Sequence, residues 1–334
     1  MNLESRNQYH SVHAGVGWRD LSGRGKLLVT GADRVRFLHS MISNDVEGLE
    51  DYQGRYGTFL TARGKMVADF YYYRLPQMVL MDVDLSLADR TREALETYVI
   101  MDEVELSLSG RFSHFSLQGP RTGDLVRALF QAEVPAQPLQ AVEADWTGDS
   151  ALLVHKADVG VAGCEIILST NDASSFSRAL SEWKGPFPVR RLDPEVWNLL
   201  RIEAAIPQFG VDMDDANYPM EARLDSAISL TKGCYLGQEV VAKATHIGGV
   251  GRFLMGLVLE GEEPPEPGAR VLSPEGKAIG SVTSAVVSRR LSGPIALGYV
   301  RRAFANPGQI LHVELGPESH VKARVVDRFT SEEA

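Results

Sequence analysis

The last quarter of the chain allows few folds. From Gly248 onward it is a series of short apolar segments, RFLMGLVLEG, AIGSVTSAVVS, PIALGYV, QILHVEL and VKARVVDRF, cut by Gly- and Pro-rich stretches such as EEPPEPG and SPEG. The segments lack helical periodicity, and regularly spaced short strands of this kind close into a small antiparallel barrel. Residues 1–247 read differently, mixing helical and strand patterns. We expect a division into 1–247 and 248–334, with the boundary in HIGGVG, where three glycines stop the preceding helix. A chain of 334 residues exceeds what one hydrophobic core usually serves, which also argues for several domains.

In the first region KLLVTG (Lys26–Gly31) reads as a strand closed by a turn. DRVRFLHSMIS follows with Val35, Leu38, Met41 and Ile42 at helical spacing and Asp33 as N-cap. QMVLMDV and HFSLQGP are further strands. A helix is expected over Ser86–Val99 with Ala94, Leu95 and Tyr98 on one face. SALLVH and GCEIILS form a strand pair around Ala157–Ala162. The clearest helix is DPEVWNLLRIEAAIP: Asp193 caps it, Pro194 and Glu195 suit its first turn, Val196, Leu199, Leu200 and Ala204 form its core face, and Pro207 ends it.

Composition narrows the function. The formal net charge of −10 opposes general nucleic-acid binding, which depends on neutralising phosphates; Arg289–Arg290 and Arg301–Arg302 are expected to be solvated loop pairs. No apolar run reaches the roughly 20 residues that span a bilayer, and MNLESRNQYH lacks the apolar segment of a signal peptide. Two cysteines are no disulfide framework. A cytoplasmic protein without membrane partners is the expectation.

One cysteine has a distinctive setting. Cys234 lies in TKGCYLGQEVVAK, just before a helix expected from Val240, Val241, Ala244 and Ile247. A helix N-terminus and Lys232 both favour a thiolate, and Gly233 and Gly237 permit unusual backbone conformations. The alternative is a small apolar residue filling a turn. A permanent metal site is not expected: there is no CxxC, Cys164 lies 70 residues upstream in a strand, and the eight histidines show no ligand spacing, His10 and His13 falling in a terminus read as mobile. A transient cluster ligand, completed by another protein, remains open. GxSxG, HExxH and Walker A patterns are absent, and GADRVRFLHS lacks the dinucleotide-binding glycines.

Three charges sit in apolar surroundings: Asp69 between GKMVA and FYYYR, Glu165 in GCEIIL, and Arg201 in the helix WNLLRIEAA. Each is either paired or snorkelling to solvent, or part of a shared ligand site, in which a carboxylate matches the amide and amino groups of a pterin-like ring and an Arg suits an acidic tail.

RIEAAIPQFGVDM, YPMEARLDSAIS and KGCYLGQEVVAKATHIGG closely resemble the YgfZ family of folate-binding proteins, which is related to the aminomethyltransferase (T-protein) of the glycine cleavage system. VTGADRVRFLHSMISNDV, FSLQGPRTG, GLVLEG, IGSVTSAVVS and IALGYVRR extend the resemblance over nearly the whole chain. It implies an α+β, T-protein-like arrangement of three domains around a central cavity: two intertwined lobes and a C-terminal antiparallel β-barrel. It implies tetrahydrofolate as ligand, with Glu165 and Arg201 as its contacts. It further implies a role in assembling or maintaining iron–sulfur enzymes, including a radical enzyme that thiomethylates tRNA, with iron–sulfur client or assembly proteins as partners. The motif KGCYxGQE places Lys232, Gly233, Cys234, Tyr235, Gly237, Gln238 and Glu239, with Cys234 as the functional thiol. Where T-proteins carry two adjacent aspartates this chain has Ala68 and Asp69, and ADVGVAGCE is shorter than the T-protein loop before the Glu. The alternative function is a tetrahydrofolate-dependent aminomethyl or one-carbon transferase acting through Asp69; a folate-binding scaffold with an inert thiol is a third reading.

Overall fold

The computed structural model describes residues 2–244, 249–316 and 319–329. The expected boundary at 247/248, and Ile247 with it, lies outside the described residues. The chain divides into two compact units: Met1–Leu60, Val67–Trp197 and Ser226–Leu236 form the first, and Thr61–Met66, Asn198–Asp225 and Gly237–Ala334 the second.

Along the first unit run α1 (Leu3–Ala14), β1 (Val16–Asp20), β2 (Gly25–Thr30), α2 (Arg34–Met41), β3 (Gly54–Leu60), β4 (Met66–Leu75), β5 (Met78–Val83), α3 (Leu85–Glu96), β6 (Glu105–Leu108), β7 (Phe112–Gln118), α4 (Thr122–Phe130), β8 (Ala141–Trp146), β9 (Asp149–His155), β10 (Gly163–Ser169), α5 (Ala173–Ser181) and β11 (Val189–Arg191). They build a six-stranded sheet in the order β11-β1-β7-β10-β9-β8 and a five-stranded sheet in the order β3-β4-β5-β2-β6. Side chains alternate across a strand, so each sheet has two distinct faces. One face of the six-stranded sheet buries Phe115, Leu117, Leu153, Cys164, Ile166 and Leu168 against Leu125, Val126 and Phe130 of α4 and Phe176 and Leu180 of α5. The other face packs on the five-stranded sheet through Leu152, Val154 and Ile167 against Leu28, Tyr73 and Leu80.

Three local expectations change. The N-terminal residues form α1, capped by Asn2, whose side chain accepts from Ser5 N at 2.8 Å. Its inner face is mostly polar, with Ser5, Gln8 and Ser11 buried beside Val12, so no apolar stripe announces it. Gln8 is satisfied by donating to Asp193 Oδ2 at 2.9 Å. Asp33 precedes α2 but gives no side-chain cap; its Oδ2 instead accepts from Glu103 N. Helix α3 begins at Leu85 behind Asp84, ends at Glu96 and buries Leu87, Ala88, Thr91 and Leu95, while Tyr98 lies beyond it and is exposed.

Helix α6 (Pro194–Glu203) crosses the division between the units at Trp197. Its first turn closes with Trp197 N donating to Asp193 O at 3.0 Å. The second unit also holds the short α7 (Gln238–Lys243) and a closed barrel of β12 (Arg252–Leu259), β13 (Arg270–Leu272), β14 (Ala278–Ser288), β15 (Gly293–Arg301), β16 (Ile310–Gly316) and β17 (Ser319–Val326), joined in the order β12-β15-β14-β13-β16-β17. Met255, Leu257, Leu259, Val313, Ala323 and Val325 are among the residues filling its interior. Closure leaves no open sheet edge. On the outside, Leu254, Ile295, Leu297 and Tyr299 pack around Ile202 of α6. The expected strands are present; β13, three residues long, was too short to read from periodicity. No helix among the described residues is long and apolar enough to cross a membrane.

Candidate functional site

The same period-two alternation that builds the apolar layer between the two sheets continues into charge. Two residues from Leu28 is Lys26; from Leu80, Asp82; from Tyr73, Tyr71 and then Asp69; from Ile167, Glu165. Lys26 and Asp82 are direct cross-strand partners, as are Glu165 and Ser116. One end of the inter-sheet layer is therefore apolar and the other is a buried ionic network.

Asp82 accepts from Lys26 Nζ and Arg24 Nε, both at 2.8 Å. Glu165 Oε1 accepts from Lys156 Nζ at 2.6 Å, and its Oε2 from Tyr73 Oη at 3.3 Å. Between the carboxylates stands His114, fully buried, with Nδ1 3.7 Å from Asp82 and Nε2 3.2 Å from Glu165. Burial lowers the His114 pKa, but Glu165 and Asp82 outweigh it and raise it above the usual imidazole value. Burial would raise both carboxyls, yet Lys156 and His114 hold Glu165, and Arg24, Lys26 and His114 hold Asp82, well below the ordinary range. Asp82, His114 and Glu165 offer ligand atoms within 4.8 Å of one another. A metal ion there would face the ammonium groups of Lys26 and Lys156, and each imidazole nitrogen lies within ion-pair distance of a carboxylate. The arrangement suits an imidazolium rather than a cation ligand.

Beside the network lies a cavity of about 370 Å³, bordered by Asn44, Arg55, Tyr56, Tyr71, His155 and Lys156 among others. The Tyr56 and Tyr71 rings are 4.7 Å apart, and Lys156 Nζ sits 3.7 Å from the centre of the Tyr71 ring. Asp69, half-buried on β4, accepts from Tyr56 Oη at 2.7 Å. Burial raises its pKa, against the pull of Tyr56 and Arg24. The positive charge of Arg24 acts most on Asp82, which it hydrogen-bonds, and less on Asp69 and Glu165.

Arg201 belongs to the second unit. It is 4% exposed and gives Nε to Asn198 (2.8 Å), Nη1 to Asp212 (2.7 Å) and Ile206 O (3.1 Å), and Nη2 to Ser284 (3.0 Å). Asp212 also accepts from Thr283 and Ser284, each at 2.6 Å. The guanidinium thus ties α6 to the barrel strand β14.

Cys234 is free and exposed, and Cys164 is buried in β10, where burial raises its thiol pKa. Lys232 inserts its ammonium among the carbonyls at the C-terminal end of α2 and just beyond it, donating to His39 O, to Ile42 O at 2.7 Å and to Asn44 O at 3.1 Å. Burial lowers its pKa to about 8, against Asp45 and Glu47. Tyr235 is buried. Gly237 takes φ +83° ahead of α7, a conformation that favours glycine. Gly233 has no such φ, and an added Cβ would meet only His39 Nε2 at 3.8 Å, so its backbone does not demand glycine. Glu239 pairs with Lys243 at 2.6 Å on the exposed side of α7.

Arg24, Lys26, Asp82, His114, Lys156 and Asp158 were not singled out by sequence. The available signal was the one that flagged Glu165: a lone charge in an apolar strand, as in GKLLV, MVLMDV and FSHFSL.

Residues 2–232 match the GCVT N-terminal domain family, and residues 252–330 match the glycine cleavage T-protein C-terminal barrel domain. An aminomethyltransferase of Chloroherpeton thalassium is 28% identical over 314 residues, covering 92% of this chain and 85% of that protein. A putative chloroplastic transferase of Arabidopsis thaliana is 28% identical over 302 residues, covering 90% of this chain and 68% of the relative. The crystal structure of the glycine cleavage system aminomethyltransferase T from Bartonella henselae superposes with a TM-score of 0.88 at 22% identity, covering 98% of this chain and 91% of that one. That likeness establishes the fold: α+β with a closed C-terminal barrel.

Proposed function

The chain belongs to the family of the GCVT N-terminal domain, completed by the T-protein barrel, and on that premise we propose that it is a tetrahydrofolate-dependent one-carbon transferase whose folate-binding surface is the cavity beside Asp69. The observation that carries this is the Asp69 carboxyl, held at 2.7 Å by Tyr56 Oη at the edge of a cavity walled by two tyrosines. The fit to a reduced folate is chemical. A planar ring stacks on tyrosine faces, and Lys156, Arg55 and His155 supply nitrogens around the same space. Bound folate would supply the nitrogen that accepts the one-carbon unit. Asp69, its pKa raised by burial, is suited to hold or pass a proton at its carboxylate oxygen. Glu165 enters this reading through the resemblance, as a further contributor to folate binding; Arg201 belongs to the second unit, where Asn198, Asp212 and Ser284 hold its guanidinium.

The direct test is formation of methylenetetrahydrofolate from an aminomethyl donor. The expected result is turnover by wild type and a loss of about a hundredfold or more in Asp69→Asn, with tetrahydrofolate affinity retained. Turnover unchanged in Asp69→Asn would remove Asp69 from the reaction; absence of turnover in a wild type that binds folate would remove the transferase reading.

A second reading, a folate-binding accessory factor for iron–sulfur proteins of the YgfZ type, draws on the Cys234 loop. The thiol is exposed while Lys232 and Tyr235 on either side are anchored, which holds it where another protein can meet it. In cells lacking the native gene, this reading expects Cys234→Ala to leave iron–sulfur enzyme activity unrestored. Full rescue by the variant would sink it.

A further inference from the structure

The outer face of the barrel carries a group of metal-ligand side chains that only strand pairing brings together. Leu311, Val313 and Ala323 are buried in the barrel interior. The alternation of β16 and β17 therefore turns His312 and Glu314 outward on one strand, and His320 and Lys322 outward on the other. The register sets Glu314 directly opposite His320, and His312 opposite Lys322. The two imidazoles are diagonal neighbours, with ring centres 5.1 Å apart and planes at 81°. Two imidazoles held by one tetrahedral zinc through bonds of about 2.0 Å have their centres about 5 Å apart. The strands thus already give the rings the spacing of a shared ion. The rings stand edge to face, and turns about their soft terminal χ2 torsions would bring a nitrogen of each to one point. Glu314 belongs to the same group: Arg270 chiefly, and His320 with it, hold its carboxyl below the usual range. Its oxygens accept from Arg270 Nη2 at 2.5 Å and Nε at 2.7 Å. The Arg270 side chain is 65% exposed, and a surface ion pair of this kind adds little stability, so an ion can displace it. Lys322 is exposed, and its long stem can carry the ammonium outward.

We propose that His312, Glu314 and His320 bind a divalent transition metal of the zinc class on the outer face of the barrel. Two imidazoles with one carboxylate suit zinc, whereas magnesium and calcium take oxygen ligands. Three protein ligands leave the fourth tetrahedral position to water. The ligands stand on paired strands of a closed barrel, which fixes their spacing. Arg270 competes with the ion for Glu314 and so sets the affinity. The proposal is independent of the folate reading: these residues belong to the second unit, and the lining of the cavity beside Asp69 to the first.

The experiment is calorimetric titration of zinc, and separately of magnesium, into the full-length wild type, His312→Ala, His320→Ala, Glu314→Gln and Arg270→Met. The four side chains are partly or fully exposed, so the variants are expected to keep the fold. Zinc bound elsewhere, at the exposed Cys234 for example, is common to all five proteins and cancels in the comparison. Wild type is expected to bind zinc and not magnesium at this site. Each histidine variant should weaken zinc binding by about a hundredfold or more, and Glu314→Gln by about tenfold. Arg270→Met, which frees Glu314, should tighten it. Equal zinc affinity and stoichiometry in wild type and both histidine variants would overturn the proposal. Magnesium binding as tight as zinc would overturn the metal class, and unchanged zinc affinity in both Glu314→Gln and Arg270→Met would remove Glu314 from the ligands. A second readout locates the ion in the wild type: with isotope-labelled histidine, the imidazole nitrogen resonances of His312 and His320, assigned with the two variants, should move together on zinc saturation. Unmoved resonances at saturation contradict the proposal.

Discussion

His114 is the residue on which the buried network turns, because it stands between the carboxylates of Asp82 and Glu165. Its folded pKa lies above the usual value of 6.5, burial being outweighed by Glu165 and Asp82, with Lys26 opposing them. The folded state therefore binds more protons than the unfolded one, and stability falls as pH rises through the folded value. Urea unfolding from roughly pH 6 to roughly pH 9 should show that decline in wild type, and His114→Gln should flatten it. An identical slope in the variant would mean the imidazole is neutral throughout. Asp82 and Glu165 act with opposite sign: their folded pKa values are depressed, so their contribution is lost as pH falls through the acid range. Glu165 could be found from sequence because one carboxylate interrupts GCEIIL. Its partners could not be matched to it, since Lys156, Tyr73 and His114 lie on or beside separate strands and only the packing of those strands assembles them.

At the scale of elements, two cations act as fasteners. Lys232 holds the segment Ser226–Leu236 to the carbonyls at the C-terminal end of α2 and just beyond it. Lys232→Met should cost about 1–3 kcal/mol and raise amide hydrogen exchange over residues 229–236, leaving β9 protected. Unchanged protection in that segment would contradict the anchoring role. Arg201 holds α6 to β14 through Asp212 and Ser284. Arg201→Met leaves the Asp212 carboxylate buried without its ion-pair partner and should destabilise the protein by about 3–5 kcal/mol, read as a drop in Tm; a far smaller loss would show that the hydroxyls of Thr283 and Ser284 suffice. The longer barrel strands and α6 were legible because their apolar residues recur at strand or helix spacing. Helix α1 was not, since its inner face is built of serine and glutamine satisfied by hydrogen bonds. Gly233 likewise looked conformationally special and is not, whereas Gly237 is.

For the chain as a whole, the family follows from matches covering residues 2–232 and 252–330. The division into units was less legible. Thr61–Met66 and Asn198–Asp225 group with the barrel segment although both lie upstream of it, and local patterning cannot report contacts between distant stretches. The net charge of −10 leaves a role for a local patch of donors, and the cavity bordered by Arg55, His155 and Lys156 supplies one. The account centres on that cavity as a folate site. The most direct measurement is calorimetric titration of tetrahydrofolate into wild type and Tyr71→Ala. The account predicts saturable one-to-one binding by wild type, weakened by up to about tenfold when the aromatic wall is removed. Absence of saturable binding by wild type, or equal affinity in Tyr71→Ala, would contradict it.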